Sequence, residues 1–447
     1  MSSLPKRLRR RAPAEDLAFS ERVHRIIPAG GHTYSRGDDQ LPQNAPRAFA
    51  RGKGARVWTR SGDEFVDWGM GINNVLIGHA EAEIDDAAVA ALRDGQAFSR
   101  PSPLEIEAAE ALLELFPDMD MVKFAKNGSD ANTAAVRLAR AVTGRDLVAY
   151  DAAAPFLAID DWFIGTTAMA AGVPEAIRHL SVPFWYNDIP SVEALFAEHG
   201  DRLAIVVLEV CRETAPVPGF LERVRELCDR HGVLLLFDEI VTAFRYHLNG
   251  AHAMFRVRPD LMSVGKAIAN GYALSALLGR REYMERGGIR HRDERVFFLS
   301  TTNGPERSAL AAAKATIAFY RSHDVVGALY ANGQHMIEAV ARAAALHGIT
   351  DFLSASSDFG CRPVLRACGP DGSPSLAFRT LFLQELIGHG VFMPWVCPSY
   401  RHGATELAHT TAAIDEAAAV LARAIEHGSV EGYLEGEPAK PVFRRFN

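Results

Sequence analysis

Two almost continuous apolar runs in the middle of the chain each end in an acidic residue. They are residues 203–208, followed by Glu209, and residues 233–237, followed by Asp238. Strands buried on both faces of a parallel sheet are hydrophobic throughout, so both runs predict such strands. A helical stretch at about residues 219–230 lies between them, which completes a strand–helix–strand unit. Because ligands bind at the carboxyl ends of such strands, Glu209 and Asp238 mark the edge where a site is expected.

The periodicity elsewhere predicts three segments of unequal size. Residues 52–58 and 64–68 are two short strands joined by a tight turn at 61–63. From residue 84 onward helices and strands alternate: a helix at 103–115, a strand at 121–124 and a helix at 131–141. After about residue 318 amphipathic helices surround shorter strands. We therefore expect an N-terminal arm at 1–75, a large α/β domain at 76–318 and a C-terminal domain at 319–447.

Composition narrows the class of protein. The chain has 447 residues, of which 48% are hydrophobic, and a formal net charge of −7. That charge gives no bulk electrostatic reason to expect nucleic acid as a partner. No run approaches the ~20 apolar residues of a membrane-spanning helix. The five cysteines are widely spaced and contain no CxxC pair, which favours reduced thiols in a cytoplasmic protein over disulfides or a zinc site.

The strongest candidate for chemistry is the pair Asp238 and Lys266, each at the end of an apolar run. Lys266 follows Gly265, which leaves room for a planar ligand. An amine at such a position can condense with an aldehyde, and a neighbouring aspartate can keep a pyridine nitrogen protonated. An ordinary ion pair between two strand ends explains the same two residues equally well.

A second candidate lies at the junction between the strand at 121–124 and the following helix. Gly128 allows close approach of the backbone, and Ser129 offers a hydroxyl and an N–H at a helix start. Such a start binds phosphate through its N–H groups and dipole. A plain N-cap is the alternative, since serine and aspartate are preferred caps.

The order and spacing of several motifs resemble the class III aminotransferases, and specifically their glutamate-1-semialdehyde aminomutase-like branch. The resemblance runs from about Arg25 to the C-terminus. Its motifs are Gly78-His79-Ala80, Lys126-Asn127-Gly128-Ser129-Asp130-Ala131, Thr143-Gly144-Arg145-Asp146, Phe237-Asp238-Glu239-Ile240-Val241-Thr242, Gly265-Lys266-Ala267 and Leu407-Ala408-His409-Thr410.

The resemblance implies a pyridoxal 5′-phosphate (PLP) enzyme of fold type I. Such an enzyme has a large, mostly parallel sheet domain with helices on both faces, and a smaller α+β domain built from N- and C-terminal segments. Lys266 would form the Schiff base, Asp238 would pair with the pyridinium nitrogen, and Ile240 would pack on the ring. Gly128 and Ser129 would bind the phosphate.

The resemblance also implies a homodimer with active sites at the subunit interface. Thr302 would then reach the phosphate of the other subunit, although Thr301 could serve as well. The family's stacking tyrosine corresponds here to Phe156, which can cover a ring but cannot donate a hydroxyl hydrogen bond. Phe156 as an ordinary core residue is the alternative.

The substrate side is less specified. Arg36 offers a fork-shaped donor for a carboxylate or phosphate, in the part of the chain where the aminomutases hold the substrate carboxylate. His32, Tyr34 and Trp68 add hydrogen-bonding aromatic side chains, which suggest a polyol- or sugar-like carbonyl substrate or else packing at an interface. The glycine- and phenylalanine-rich gating segment of the aminomutases is not apparent at residues 351–375.

The resemblance leaves three possible functions. The first is an aminotransferase that moves an amino group from an amino-acid donor, with glutamate as a candidate, to a small aldehyde or ketone. The second is an intramolecular aminomutase of the glutamate-1-semialdehyde type. The third is a binding or regulatory protein of the same fold, which the presence of both Lys266 and Asp238 disfavours.

Overall fold

The computed structural model describes residues 13–446 and contains two compact units. The first unit comprises the chain up to Glu81 together with Gly327–Arg444, and the second comprises Ala82–Val326. Residues 1–12 of the predicted N-terminal arm lie outside the described residues. The described helices include none that is long and apolar enough to cross a bilayer. The five cysteines are buried and free.

The strands, in chain order, are β1 (Arg51–Lys53), β2 (Arg56–Trp58), β3 (Glu64–Asp67), β4 (Met121–Ala125), β5 (Leu147–Asp151), β6 (Ser181–Phe184), β7 (Leu203–Leu208), β8 (Leu234–Asp238), β9 (Leu261–Val264), β10 (Ser275–Gly279), β11 (Leu353–Ser356), β12 (Val364–Ala367) and β13 (Val391–Phe392).

The helices, in chain order, are α1 (Ala14–Ile26), α2 (Met70–Asn73), α3 (Ala82–Arg93), α4 (Pro103–Leu113), α5 (Gly128–Thr143), α6 (Asp161–Ile164), α7 (Glu175–Arg178), α8 (Ile189–His199), α9 (Phe220–His231), α10 (His252–Phe255), α11 (Arg281–Met284), α12 (Arg307–Ser322), α13 (Val325–Leu346), α14 (Leu376–Gly388) and α15 (Ala404–His427).

The second unit is built on a seven-stranded sheet in the order β4-β10-β9-β8-β7-β5-β6. The five strands from β9 to β6 run parallel, and β10 is antiparallel to both of its neighbours. All residues of β7 and β8 are buried, in agreement with their unbroken apolar sequences. The predicted α/β fold with a large, mostly parallel sheet is confirmed.

Helix α5 packs on this sheet through a face of small residues. Ala131, Ala134, Ala135 and Ala139 are buried, and their short side chains allow the helix to approach the strands closely. The helix begins at Gly128, three residues before its predicted start. The reason is local capping: Asn127 is the N-cap, and its backbone N–H donates to the Asp130 carboxylate at 2.8 Å.

The first unit contains a four-stranded sheet in the order β1-β2-β3-β13 and the separate hairpin of β11 and β12. The single strand predicted at 52–58 is divided into β1 and β2, which pair antiparallel. The chain reverses at Gly54, whose φ of +58° is readily adopted only by glycine. The predicted turn at 61–63 does connect β2 to β3.

Trp68 belongs to the core of the first unit. Its side chain is fully buried, its Nε1 donates to Thr410 Oγ1 at 3.0 Å, and its ring stacks on His402 with centroids 4.0 Å apart. The expectation that Trp68 forms part of a substrate-contacting aromatic arm is therefore wrong. The sequence showed an aromatic residue in the arm. It did not show that the indole N–H and the ring face of this residue contact Thr410 and His402 within the protein core.

Asp260, the residue before β9, ties the strand that leads to Lys266 to its surroundings. Its carboxylate is buried and accepts hydrogen bonds from the backbone N–H of Leu235 at 2.8 Å and from Arg225 at 2.9 Å. Arg280, after β10, donates to the other carboxylate oxygen. One side chain thus joins β8, α9 and the end of β10 at the start of β9.

We predict that Asp260→Ala lowers the free energy of unfolding by about 3 kcal/mol, because it removes the buried carboxylate that accepts from a strand amide and from two guanidinium groups. Urea denaturation measures the loss. Asp229→Ala is the matched control, since Asp229 pairs with the same Arg225 at 2.7 Å but is 64% exposed, and we expect it to cost less than about 1 kcal/mol. Equal losses for the two variants would contradict the role given to Asp260.

Candidate active site

Asp238 ends β8 as a buried carboxylate with specific donors. Its Oδ1 accepts from the backbone N–H of Ile240 at 3.0 Å, and its Oδ2 accepts from Asn132 Nδ2 at 2.8 Å. The side chain is 5% exposed. A carboxylate in such surroundings can receive a further N–H donor or cation from a ligand.

Some of the surroundings of Asp238 favour its ionised form and others oppose it. Burial, and then the nearby charge of Glu209 at the end of β7, raise the pKa of Asp238 to about 6. The donors from Ile240 and Asn132 and the positive charge of Lys266 act in the opposite direction. A cationic ligand beside Asp238 would therefore favour the ionised form further.

Lys266 follows β9 and starts the single 3₁₀ turn Lys266–Ala269. Its φ is +42°, in the left-handed region that residues other than glycine rarely adopt. Its positive charge is one of the influences that lower the pKa of Asp238. Because β8 and β9 are parallel neighbours with Asp238 opposite Ser263, the amine and the carboxylate arise at the same edge of the sheet.

Ile240 fills the space between two glycines. A Cβ on residue 128 would lie 2.9 Å from Ile240 Cδ1, and a Cβ on Gly265 would lie 3.0 Å from the same atom. Glycine at both positions therefore allows a branched side chain to lie against the backbone before α5 and after β9. Gly128, Gly265 and Ile240 form a compact apolar surface beside Asp238 and Lys266.

The start of α5 offers donors to an anion. The capping role belongs to Asn127 and Asp130, so Ser129 is not the N-cap that the sequence left as an alternative. Ser129 Oγ accepts from the backbone N–H of Ile159 at 3.1 Å, which leaves its hydroxyl hydrogen able to donate. The 16-residue helix adds the positive end of its dipole at this position.

One face of α5 also holds the segment that contains Phe156. Three side chains make the hydrogen bonds: Ser129 Oγ with Ile159 N at 3.1 Å, Asn132 Nδ2 with Leu157 O at 2.7 Å, and Thr133 Oγ1 with Asp160 Oδ2 at 2.6 Å. The Phe156 ring is 46% exposed and meets Phe163 edge-on at 5.9 Å. Phe156 is therefore not a buried core residue, and its segment is fixed next to Asp238.

Asn132 is the residue of this group that sequence reasoning missed. Its side chain is 1% exposed and contacts both Asp238 and the Phe156 segment. The available signal was its place three residues after Ser129, which puts a polar side chain among the buried alanines of α5.

Glu239, the acidic residue that follows Asp238, has a structural role. Its fully buried carboxylate accepts from Ala251 N at 2.8 Å, from Thr242 Oγ1 at 2.6 Å, and from both the N–H and the ring of His252 at 2.9 and 2.8 Å. Although burial opposes ionisation, the hydrogen bond and charge of His252 hold the pKa of Glu239 below its usual range. Glu239 thus anchors the chain immediately after Asp238.

The remaining predicted site residues are Thr302, Tyr34 and Arg36. Thr301 and Thr302 are both exposed on the turn before α12, so one chain does not distinguish between them. Tyr34, 60% exposed, and the exposed Arg36 lie on a single 3₁₀ turn of the first unit. Their contact with a substrate stays a prediction.

Comparison with known proteins agrees with this geometry. The profile of the family described as "Aminotransferase class-III" matches residues 38–351. The chain is 31% identical to the 3-aminobutyryl-CoA aminotransferase of Cloacimonas acidaminovorans over 91% of its own length and 97% of that protein. It is also 31% identical to the glutamate-1-semialdehyde 2,1-aminomutase of Syntrophobacter fumaroxidans, over 83% and 88% of the two chains. The FumI protein of Sphingopyxis sp. MTA144, solved in a PLP form, superposes with a TM-score of 0.84 at 25% identity and covers 96% of this chain and 99% of its own.

The packing of Ile240 between the glycines leads to a double-mutant prediction. We expect Gly128→Ala to destabilise the protein by about 1–3 kcal/mol, because its methyl group overlaps Ile240. Ile240→Ala removes the overlap, so the double variant should be more stable than the sum of the two losses by at least about 1 kcal/mol. Urea denaturation of all four proteins measures this coupling.

A control pair combines Gly128→Ala with Ile414→Ala, which lies in the core of the first unit. The losses in that pair should be additive. Additive losses for Gly128 and Ile240 as well would show that the two residues do not compete for the same space.

Proposed function

The chain belongs to the class-III aminotransferases, and we propose that it transfers an amino group from an external amino-acid donor, with L-glutamate as first candidate, to a small aldehyde or ketone. The cofactor of this family is PLP. The observation that carries the proposal is that the buried carboxylate of Asp238 and the chain that leads to Lys266 come from two parallel neighbouring strands at the same edge of the sheet.

The residues around Lys266 fit PLP. The start of α5 with Ser129 suits a phosphate dianion, and Asp238 suits a protonated ring nitrogen. A side chain at residue 128 or 265 would collide with Ile240, so the two glycines allow Ile240 to lie against the backbone next to the site. These donors, the acceptor and the apolar surface match the three chemically distinct parts of the cofactor.

When bound, PLP supplies an electron sink for the carbon atom from which a proton is removed. In our proposal Lys266 Nζ would hold the cofactor through its aldehyde carbon and would also be the group that moves the proton at the substrate carbon. Asp238 would keep the ring nitrogen protonated. Ile240 and Phe156 would cover the ring, and Gly128 and Ser129 would bind the phosphate.

We further propose that the enzyme works as a cytoplasmic homodimer in which Thr302 of one subunit donates to the phosphate bound by the other. The exposure of Thr302 supports this arrangement. Ile289 and Phe297, which precede it, are 78% and 74% exposed, and such apolar side chains are common where a partner binds. Five free cysteines fit a reducing compartment.

Transfer to a separate acceptor, rather than intramolecular isomerisation, is supported by residues 351–375. They contain the β11–β12 hairpin, with Leu353 paired to Ala367, and not a glycine- and phenylalanine-rich segment. We propose that Arg36 binds an anionic group of the substrate and that Tyr34 hydrogen-bonds to a polyol- or sugar-like acceptor. Glutamate-1-semialdehyde aminomutase activity is the alternative that the addition of L-glutamate, described below, tests.

Lys266→Ala should remove the visible absorption of the lysine-bound cofactor and lower turnover by at least about 10³-fold, because no other amine replaces it as nucleophile and base. Absorption spectra of the purified protein with added PLP measure the first effect. Lys53→Ala, an exposed lysine on β1, is the control and should match the wild type. An unchanged visible band in Lys266→Ala would exclude Lys266 as the attachment site.

Addition of L-glutamate to the PLP-loaded enzyme should convert the visible band to that of pyridoxamine phosphate and release one 2-oxoglutarate per site. L-Alanine, β-alanine and 3-aminobutanoate complete the donor panel, the last because of the relative that acts on 3-aminobutyryl-CoA. Isomerisation of glutamate-1-semialdehyde, with no keto product from any donor, would replace the proposed transfer by the aminomutase reaction.

A further inference from the structure

Asn132 lies in the second turn of α5, between two groups of the proposed site. Its Nδ2 donates to Asp238 Oδ2 at 2.8 Å and to Leu157 O at 2.7 Å. These partners come from different parts of the chain, the end of β8 and the segment that carries Phe156. The side chain is 1% exposed, so water does not compete for either hydrogen bond.

The chemistry of the two partners determines the orientation of this amide. A backbone carbonyl and a carboxylate only accept hydrogen bonds, so the NH₂ end of Asn132 must face both of them. The other end, Oδ1, is buried and makes no hydrogen bond within the described residues. The site therefore retains a buried polar group that is imperfectly satisfied, which an apolar residue of similar size would avoid.

We infer that Asn132 is a positioning residue for the proposed reaction: its single NH₂ group holds the Asp238 carboxylate in one orientation and at the same time holds the segment of Phe156. The inference rests on the proposed function, because it assumes that Asp238 receives the ring nitrogen of PLP. It goes beyond that function by linking the group that binds the ring nitrogen to the segment proposed to cover the ring.

The electrostatic surroundings of Asp238 indicate what this hydrogen bond does. Glu209 at the end of β7 opposes the charge of Asp238, whereas Lys266 after β9, the N–H of Ile240 and Asn132 favour it. Loss of the Asn132 donor would raise the pKa of Asp238 further above its usual value, so that the carboxylate would be ionised only at higher pH. If PLP binds best to the ionised carboxylate, the pH below which PLP binding weakens must rise by the same shift.

Thr133 provides a matched control on the same helix. Its Oγ1 donates to Asp160 Oδ2 at 2.6 Å and accepts from Trp162 Nε1 at 2.9 Å, so it holds the same segment near residue 160. The hydrogen bonds of its side chain go to residues other than Asp238. A variant at Thr133 therefore disturbs the segment but leaves the donors of the carboxylate in place.

The test compares Asn132→Leu with Thr133→Val and the wild type. For each holoenzyme, the dissociation constant of PLP is measured by equilibrium dialysis between pH 5 and 9, and hydrogen exchange is followed in residues 155–160. We expect Asn132→Leu to shift the pH midpoint of binding upward by about one unit, which weakens PLP binding about twofold at pH 7 and close to tenfold at pH 5. Both variants should exchange faster in the segment, but Thr133→Val should keep the wild-type midpoint.

Three outcomes decide between the possibilities. An unshifted midpoint in Asn132→Leu, together with faster exchange, would reduce Asn132 to a packing residue and overturn the inference. If Asn132→Leu does not fold, Asn132→Asp carries the same prediction with a larger upward shift, because it adds a like charge beside Asp238. Asp238→Asn is measured in parallel: wild-type PLP affinity and turnover in that variant would refute the proposed role of Asp238 itself, which is a separate failure.

Discussion

The site depends on keeping one carboxylate charged inside the protein. Asp238 is almost fully buried, and burial alone would neutralise it, since an unpaired charge in an apolar interior costs several kcal/mol. Glu209 adds to this cost, and two N–H donors and the charge of Lys266 offset part of it. With a pKa of about 6, Asp238 is only moderately favoured in its ionised form near neutral pH. A protonated ring nitrogen bound next to it would stabilise the negative charge further.

The surrounding fold brings the residues that interact with the Asp238 carboxylate to one edge of the sheet. Parallel pairing of β7, β8 and β9 brings Glu209, Asp238 and Lys266 to one edge of the sheet. Helix α5 then serves three purposes through its first two turns: Gly128 makes room for Ile240, Ser129 and the helix start offer donors to an anion, and Asn132 reaches Asp238. Its alanine-rich face permits this approach, because larger side chains would hold the helix away from the strands.

The residues proposed for the cofactor and those proposed for the substrate belong to different parts of this chain. The residues proposed to bind and activate PLP, including Thr302, all belong to the second unit of the chain. In the proposed dimer, Thr302 would act on the phosphate bound by the other subunit. The residues proposed to recognise the substrate, Tyr34 and Arg36, belong to the first unit. The relatives of this chain include both an aminotransferase and an aminomutase. Membership of the family therefore does not by itself decide between amino transfer and isomerisation.

By itself, the sequence determined the α/β class, the buried strands β7 and β8 and the class-III resemblance, because apolar runs and motif spacing are local properties of the chain. The start of α5 and the division of strand 52–58 were misjudged by a few residues, since capping by Asn127 and the reversal at Gly54 override periodicity. Only the tertiary structure decided that Trp68 is core, that Ile240 lies between Gly128 and Gly265, and that Asn132 binds Asp238. These contacts join residues far apart in sequence, 106 positions in the case of Asn132 and Asp238, and they exist only after helix and sheet have packed together.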